Sequence, residues 1–213
     1  MRVKICGTGS PADLQCAVDV GADAVGFLMG ITHVTQDAVS CAETAAMVAT
    51  LPPFVEPVAV THLQDPDALI RILEESHCTT LQIQDMVSPE MIDRVRDILP
   101  YVRVVKAVHV MDVSAIGVAM EFASCADAII LDTRTKDRLG GTGIPHDWDI
   151  SARIVDAVDV PVILAGGLTP ENVVSAIERV RPYAVDVHTG VKRGGTRDPE
   201  LTRKFVLRAK GCV

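Results

Sequence analysis

The chain has 213 residues, room for one domain with a full core and too few for two comfortable ones. Hydrophobic residues make up 48% but aromatics only 3%, so the core must be built from Val, Ile, Leu and Ala, the composition of buried parallel strands. A net charge of -8 argues against nucleic acid or an acidic membrane as partner, yet permits local anion binding by backbone N–H groups.

Short, nearly all-apolar runs alternate with amphipathic segments along the whole chain. The first strand is expected at 3–5 and runs into Cys6-Gly7; Ser10-Pro11-Ala12-Asp13 then opens a helix with proline in its first turn. A second strand at 24–28 leads into the least regular stretch, 29–40, a long loop and candidate substrate-contacting lid. Strands at 55–60, 80–83 and 103–108 follow, with a helix start at Ser88-Pro89-Glu90. Lys106, near the end of the fifth strand, reads as facing inward. The sixth strand, 128–131, closes on Asp132 and precedes Gly140-Gly141-Thr142-Gly143. The strands at 162–165 and 184–187 each end in a glycine turn, Gly166-Gly167 and Thr189-Gly190. Thr169-Pro170-Glu171 reads as one more helix start, and the charged run 192–197 as a solvated loop.

Eight strands alternating with about eight helices predict a closed (β/α)8 TIM barrel, an α/β fold, as a single domain over 1–213. An open doubly wound sheet would need only about five strands. Six cysteines stand singly with no C-x-x-C pair, so they read as reduced cytosolic thiols rather than zinc ligands. The amino-terminal residues lack a signal-like apolar run, and no stretch reaches membrane-spanning length. A cytoplasmic protein without metal, cofactor, nucleic-acid or membrane partner is expected.

In a barrel, residues at the carboxyl ends of strands face the functional mouth. A thiol at Cys6, a carboxylate at Asp132 and glycine turns after the last strands therefore supply a proton acceptor, a proton donor and a phosphate cradle. Each has a plainer reading. Cys6 serves equally as a small buried hydrophobe, Asp132 as a cap or a partner of Arg134, and the glycines as βα turns that need positive φ. Together they point to proton transfer on a phosphorylated sugar.

The same residues resemble the phosphoribosylanthranilate isomerase family. The resemblance is carried by Lys4-Ile5-Cys6-Gly7, Gly21-Ala22-Asp23-Ala24-Val25-Gly26-Phe27, Leu131-Asp132, Gly140-Gly141-Thr142-Gly143 with Asp147-Trp148, Leu164-Ala165-Gly166-Gly167-Leu168 with Glu171-Asn172-Val173, and Val185-Asp186-Val187 before Thr189-Gly190-Val191. It implies an Amadori aldose–ketose isomerisation in tryptophan biosynthesis, with Asp132 as general acid and Cys6 as general base. Both pKa values must then shift toward the working pH, Asp132 by burial and Cys6 through a positive neighbour such as Lys4. The resemblance further implies substrate or phosphate contacts from Lys4, Gln84, Gly141, Thr142, Gly166, Gly167, Asp186, Thr189 and Gly190. A small phosphorylated sugar is the implied partner, and a monomer or homodimer the implied assembly.

Three departures fall on the aglycone side. The loop after strand two reads Ile31-Thr32-His33-Val34-Thr35-Gln36-Asp37, without the arginine that family members use for the anthranilate carboxylate. Gln82-Ile83-Gln84-Asp85 stands where the family has Gln-Leu-His-Gly, and His188-Thr189 replaces paired serines. His33, His62 and Lys106 are the candidates to compensate. The alternatives are a divergent paralogue that isomerises or epimerises another phosphorylated sugar, and a non-catalytic phosphosugar-binding barrel.

Overall fold

A computed structural model describes residues 1–32, 35–135, 138–139 and 146–211. Eight parallel strands form it: β1 (Arg2–Ile5), β2 (Ala24–Leu28), β3 (Glu56–Thr61), β4 (Thr80–Ile83), β5 (Arg103–His109), β6 (Ala128–Asp132), β7 (Val162–Leu164) and β8 (Ala184–Val187). They close in sequence order, with β1 pairing both β2 and β8. The helices are α1 (Pro11–Asp19), α2 (Cys41–Val48), α3 (Pro66–Ser76), α4 (Pro89–Ile98), α5 (Ala115–Ala123), α6 (Trp148–Ala157), α7 (Val173–Val180) and α8 (Pro199–Lys210). This is the (β/α)8 barrel, a single domain.

Local sequence explains where the helices start. Ser10 accepts from the Asp13 N–H, Ser40 and Glu43 form a reciprocal capping box, and Asp65 and Asp198 cap helices that begin with proline. The Thr169-Pro170-Glu171 signal does not open α7. Those residues form a turn instead, in which the Thr169 N–H donates to Asn172 Oδ1 at 2.8 Å and Asn172 Nδ2 donates to the Gly167 carbonyl at 2.9 Å. The helix starts three residues after Pro170, at Val173, and Asn172 ties its start to the glycine turn.

Alternation along each strand sorts side chains between two layers. Val3, Ile5, Leu81, Ile83, Ile129, Leu131, Val185 and Val187 face the helices in one continuous core that includes the fully buried Phe27 and Phe205. The barrel interior is smaller and divided. Val105, Ala107, Ala128, Ile130 and Ala165 fill one side, and Cys6, Leu28, Val58 and Val60 the other. The buried polar side chains Lys4, Gln82, Gln84, Asp132 and Asp186 share that interior.

Two expectations are corrected here. Lys106 does not face the mouth. Val105 and Ala107 belong to the interior, and the side chain between them points outward, with Nζ 5.0 Å from the Phe122 ring of α5 and donating to the Ala107 carbonyl. The run 192–197 is not a solvated loop either. Lys192–Arg193 and Thr196–Arg197 form an antiparallel hairpin, and Arg197 is buried, donating to the carbonyls of Cys6 at 2.7 Å and Gly7 at 2.9 Å. Those bonds anchor the turn that follows β1. A second short hairpin, Arg134–Thr135 with Arg138–Leu139, follows β6.

Candidate active site

One cleft opens at the carboxyl ends of the strands, and its lining includes Cys6, Gln84, Asp132, Gly166, Gly167, Asp186, Thr189 and Gly190. Eight of the eleven residues expected at the site therefore meet there. Lys4 lies one inward position below, bonded to Asp186. Gly141 and Thr142 lie outside the described residues. The reason for the convergence is parity: Lys4 and Cys6, Gln82 and Gln84, Ile130 and Asp132 alternate inward on three strands.

Asp132 is held by two hydrogen bonds. The Thr133 N–H donates to Oδ1 at 2.7 Å and Gln84 Nε2 to Oδ2 at 2.7 Å, while Gln82 Nε2 holds Gln84 Oε1 at 3.0 Å. Burial pushes the carboxyl up to about 6; the Thr133 N–H opposes the rise, Asp186 adds to it, and Gln84 and Lys4 oppose it. An acid in that range still holds its proton in about a tenth of molecules at pH 7, far more than an ordinary carboxyl, and can also release it.

Lys4 Nζ and Asp186 Oδ1 form a buried ion pair at 2.9 Å, fixed by the direct register of β1 on β8. Burial works to lower the Lys4 ammonium, but Asp186 and then Cys6 outweigh it and keep it above its ordinary value. The Cys6 thiol behaves differently from the expectation. Burial pushes it up to about 11, more than Lys4 and Arg197 can offset, and Asp186 adds to the rise. The side chains are crowded: a Cβ at Gly26 of β2 would lie 2.9 Å from Cys6 Sγ and 3.1 Å from Lys4 Nζ. Glycine at that position is what leaves room for them.

The opposite rim is backbone. Gly166 and Gly167 both adopt positive φ, 78° and 67°, and a Cβ on Gly166 would come within 2.3 Å of Thr133 Oγ1. After β8, Gly190 passes so close to the Leu168 carbonyl that a Cβ would lie 1.9 Å from its oxygen. Two glycine-bearing turns thus press together and present main chain to the cleft.

Several contributors escaped the sequence reading. Asp37, in the loop after β2, bonds His188 Nε2 at 2.8 Å and also Lys192 Nζ, latching that loop to the turn after β8. Burial works to raise the Asp37 carboxyl, but His188 and then Lys192 outweigh it and hold it at about 2. His146 bridges Thr133 Oγ1 at 3.2 Å and Ser151 Oγ at 2.6 Å, with burial lowering its pKa to about 4. It is a neutral brace behind the strand that carries Asp132. Leu28, Ile31, Val60 and His62 complete the cleft on the β2–β3 side. His62 had not escaped, being a candidate to compensate for the missing arginine, and its parity with Val58 and Val60 places it inward; Asp37 had no local signal.

A closed barrel whose cleft gathers a buried carboxyl pushed up to about 6 and a buried thiol has the make-up of a (β/α)8 enzyme. Residues 3–208 match the family model for N-(5'phosphoribosyl)anthranilate (PRA) isomerase, and the chain belongs to that family. It is similar to the N-(5'-phosphoribosyl)anthranilate isomerase of Methanothrix thermoacetophila, at 39% identity over 211 residues and 99% of each chain. Among solved structures, the phosphoribosyl anthranilate isomerase of Thermotoga maritima matches with a TM-score of 0.88 and 32% identity over 99% of each chain. Another, in complex with reduced 1-(o-carboxyphenylamino)-1-deoxyribulose 5-phosphate, gives 0.85 and 31%, again over 99% of each.

Proposed function

We propose that the protein is an aldose–ketose isomerase of N-(5'-phosphoribosyl)anthranilate, acting in tryptophan biosynthesis through Asp132 as general acid and Cys6 as general base. The observation that carries the reading is the meeting of Asp132, pushed up to about 6 by burial, with Cys6 in a single cleft rimmed by glycine main chain. Asp132 delivers its proton to the ribose ring oxygen as the bond from that oxygen to C1 breaks. The lone pair of the anilino nitrogen forms the C1=N bond, leaving a cationic Schiff base and an Asp132 carboxylate. The Cys6 thiolate then removes the C2 proton, and the C–H electrons make a C1=C2 bond and neutralise the nitrogen. Loss of the C2 hydroxyl proton and protonation of C1 give the ketose.

The high pKa of Cys6 orders these steps. Before the ring opens the thiol is neutral; as the positive Schiff base forms beside it, the thiol gives up its proton to water and the thiolate becomes favourable. The ring opens first. Asp186 keeps Lys4 charged, and Lys4 supports the thiolate once formed. The phosphate belongs over Gly166, Gly167, Thr189 and Gly190, where main-chain N–H groups serve an anion without a side-chain cation.

The five described cysteines are all free thiols, which supports placing the protein in a reducing compartment such as the cytoplasm. Turnover of N-(5'-phosphoribosyl)anthranilate by the purified protein, followed by loss of substrate fluorescence, tests the reading. Conversion is expected; no conversion by well-folded protein would overturn it.

A further inference from the structure

Cys6 stands where the β1 ladder ends, and the aim of its thiol depends on the peptide that joins it to Gly7. The Cys6 N–H donates to the Val187 carbonyl at 2.9 Å, and the Thr8 N–H to the Gly26 carbonyl at 2.9 Å. From the other side, Arg197 Nη2 donates to the carbonyls of Cys6 at 2.7 Å and Gly7 at 2.9 Å. Arg197 is buried; its Nε and Nη1 make no hydrogen bond among the described residues, and Asp13 lies 3.9 Å from Nε. Burying a guanidinium is costly, and here it is committed to two main-chain oxygens beside the base. His188 supplies a third contact. A Cβ on Gly7 would lie 2.3 Å from its Nε2, so the imidazole rests directly on the Gly7 backbone.

The hairpin after β8 joins these contacts to the loop after β2. Lys192 and Arg197 are register partners in it. Lys192 Nζ donates to Asp37 Oδ2, the same oxygen that His188 Nε2 meets at 2.8 Å. The loop itself presses on the β1 turn, where a Cβ on Gly9 would lie 3.2 Å from Asp37 Cα. A closed ring of contacts therefore runs from Asp37 through Lys192 and Arg197 to the Cys6–Gly7 peptide, and back through His188. Asp37, Lys192 and Arg197 stand outside the cleft lining, to which Cys6 and His188 belong.

Resting on the isomerase reading, we propose that Asp37 and Arg197 are positioning residues for Cys6, the two ends of a clamp built on the hairpin after β8. Arg197 grips the peptide of the base directly. Asp37 acts from the loop after β2, holding His188 down on Gly7 and Lys192 in the rung it shares with Arg197. Opening the ring at either end releases the same peptide.

The test compares Asp37→Asn, Arg197→Lys and the double variant. Each single change should lower kcat for N-(5'-phosphoribosyl)anthranilate by about 10–100-fold, the range for a reacting group displaced by up to about 1 Å. KM should stay within about threefold, as expected when ground-state binding is untouched. The double variant should lose no more than the worse single, because the ring is already open; independent residues that do not touch would multiply their losses. Asp37→Glu, which keeps the carboxylate, should recover most of the loss.

The free enzyme gives a second readout. Burial raises the Cys6 thiol, so a loosened turn admits water, and Asp37→Asn should be alkylated at Cys6 by iodoacetamide faster than wild type even as its turnover falls. A role confined to stability would lower the melting temperature without setting labelling against turnover. Multiplied losses in the double variant, or labelling of Cys6 at the wild-type rate or slower, would overturn the clamp. Should Arg197→Lys fold poorly, the labelling rate of Asp37→Asn decides alone. Absence of wild-type turnover would overturn the isomerase reading, and labelling, which needs no substrate, would still decide the clamp.

Discussion

Lys4 and Asp186 meet across the β1–β8 seam, register partners in the strands and ion partners at 2.9 Å, both buried. Their pair governs Cys6, because Lys4 favours the thiolate while Asp186 disfavours it. Opposite effects on the thiol follow from cutting the pair at its two ends. Asp186→Asn leaves Lys4 to the thiolate, lowers the thiol pKa, and should speed alkylation of Cys6 by iodoacetamide at fixed pH. Lys4→Met should slow it. That variant also strands a buried carboxylate, at a cost of about 3–5 kcal/mol, read as a lower melting temperature. Mass-spectrometric labelling rates at Cys6 check the order of the three proteins; faster labelling in Lys4→Met would contradict it.

Asp132 should titrate near pH 6 in the folded protein, a midpoint measurable by carbon NMR of its carboxyl and missing in Asp132→Asn. Gln84 donates to the carboxylate and lowers the pKa, so Gln84→Leu should move the midpoint upward. The sign for stability follows. A folded pKa above the ordinary 3.8 means that the native state holds more protons than the unfolded chain between about pH 4 and 6, so stability falls as pH rises through that window. At about 1.4 kcal/mol per pKa unit the loss is about 3 kcal/mol. Asp132→Asn lacks it, and should be the more stable protein at pH 7.5 in urea denaturation while losing turnover.

Lys106 illustrates a cost unrelated to the site. Burial lowers its ammonium to about 8, with Asp85 and Cys125 only partly opposing. The unfolded chain therefore holds the extra proton between about pH 8 and 10.5, and this residue's contribution to stability improves as pH rises across that range. Lys106→Met should stabilise the fold by about 1–3 kcal/mol at pH 7, as apolar replacement of a buried charge does, with kcat unchanged. A drop in kcat would mean that Lys106 reaches the site after all.

Much of this was legible in the chain because the decisive signals are short and periodic. Strand parity alone sends Lys4, Cys6, Gln84 and Asp132 inward once their strands are recognised, and glycines mark the turns that close on the cleft. Lys106 reads as inward only from its place near the end of β5; counting from Val105 and Ala107, its apolar inward neighbours, turns it outward. What stayed hidden was long-range. Arg197 and Lys192 read as solvated charges because their partners, the Cys6 and Gly7 carbonyls and Asp37, lie more than 150 residues away. The Cys6 pKa was misjudged because sequence names the neighbouring cation but not the depth of burial that outweighs it.

The central claim is that Asp132 and Cys6 divide the acid and base work. It is tested most directly by measuring kcat for N-(5'-phosphoribosyl)anthranilate in Cys6→Ala and Asp132→Asn, alongside binding of the reduced ketose phosphate. General acid–base groups contribute about 10²–10⁴-fold, so each variant should lose about a thousandfold in kcat and bind the ketose analogue within severalfold of wild type. A Cys6→Ala protein that turns over at near the wild-type rate would contradict the account.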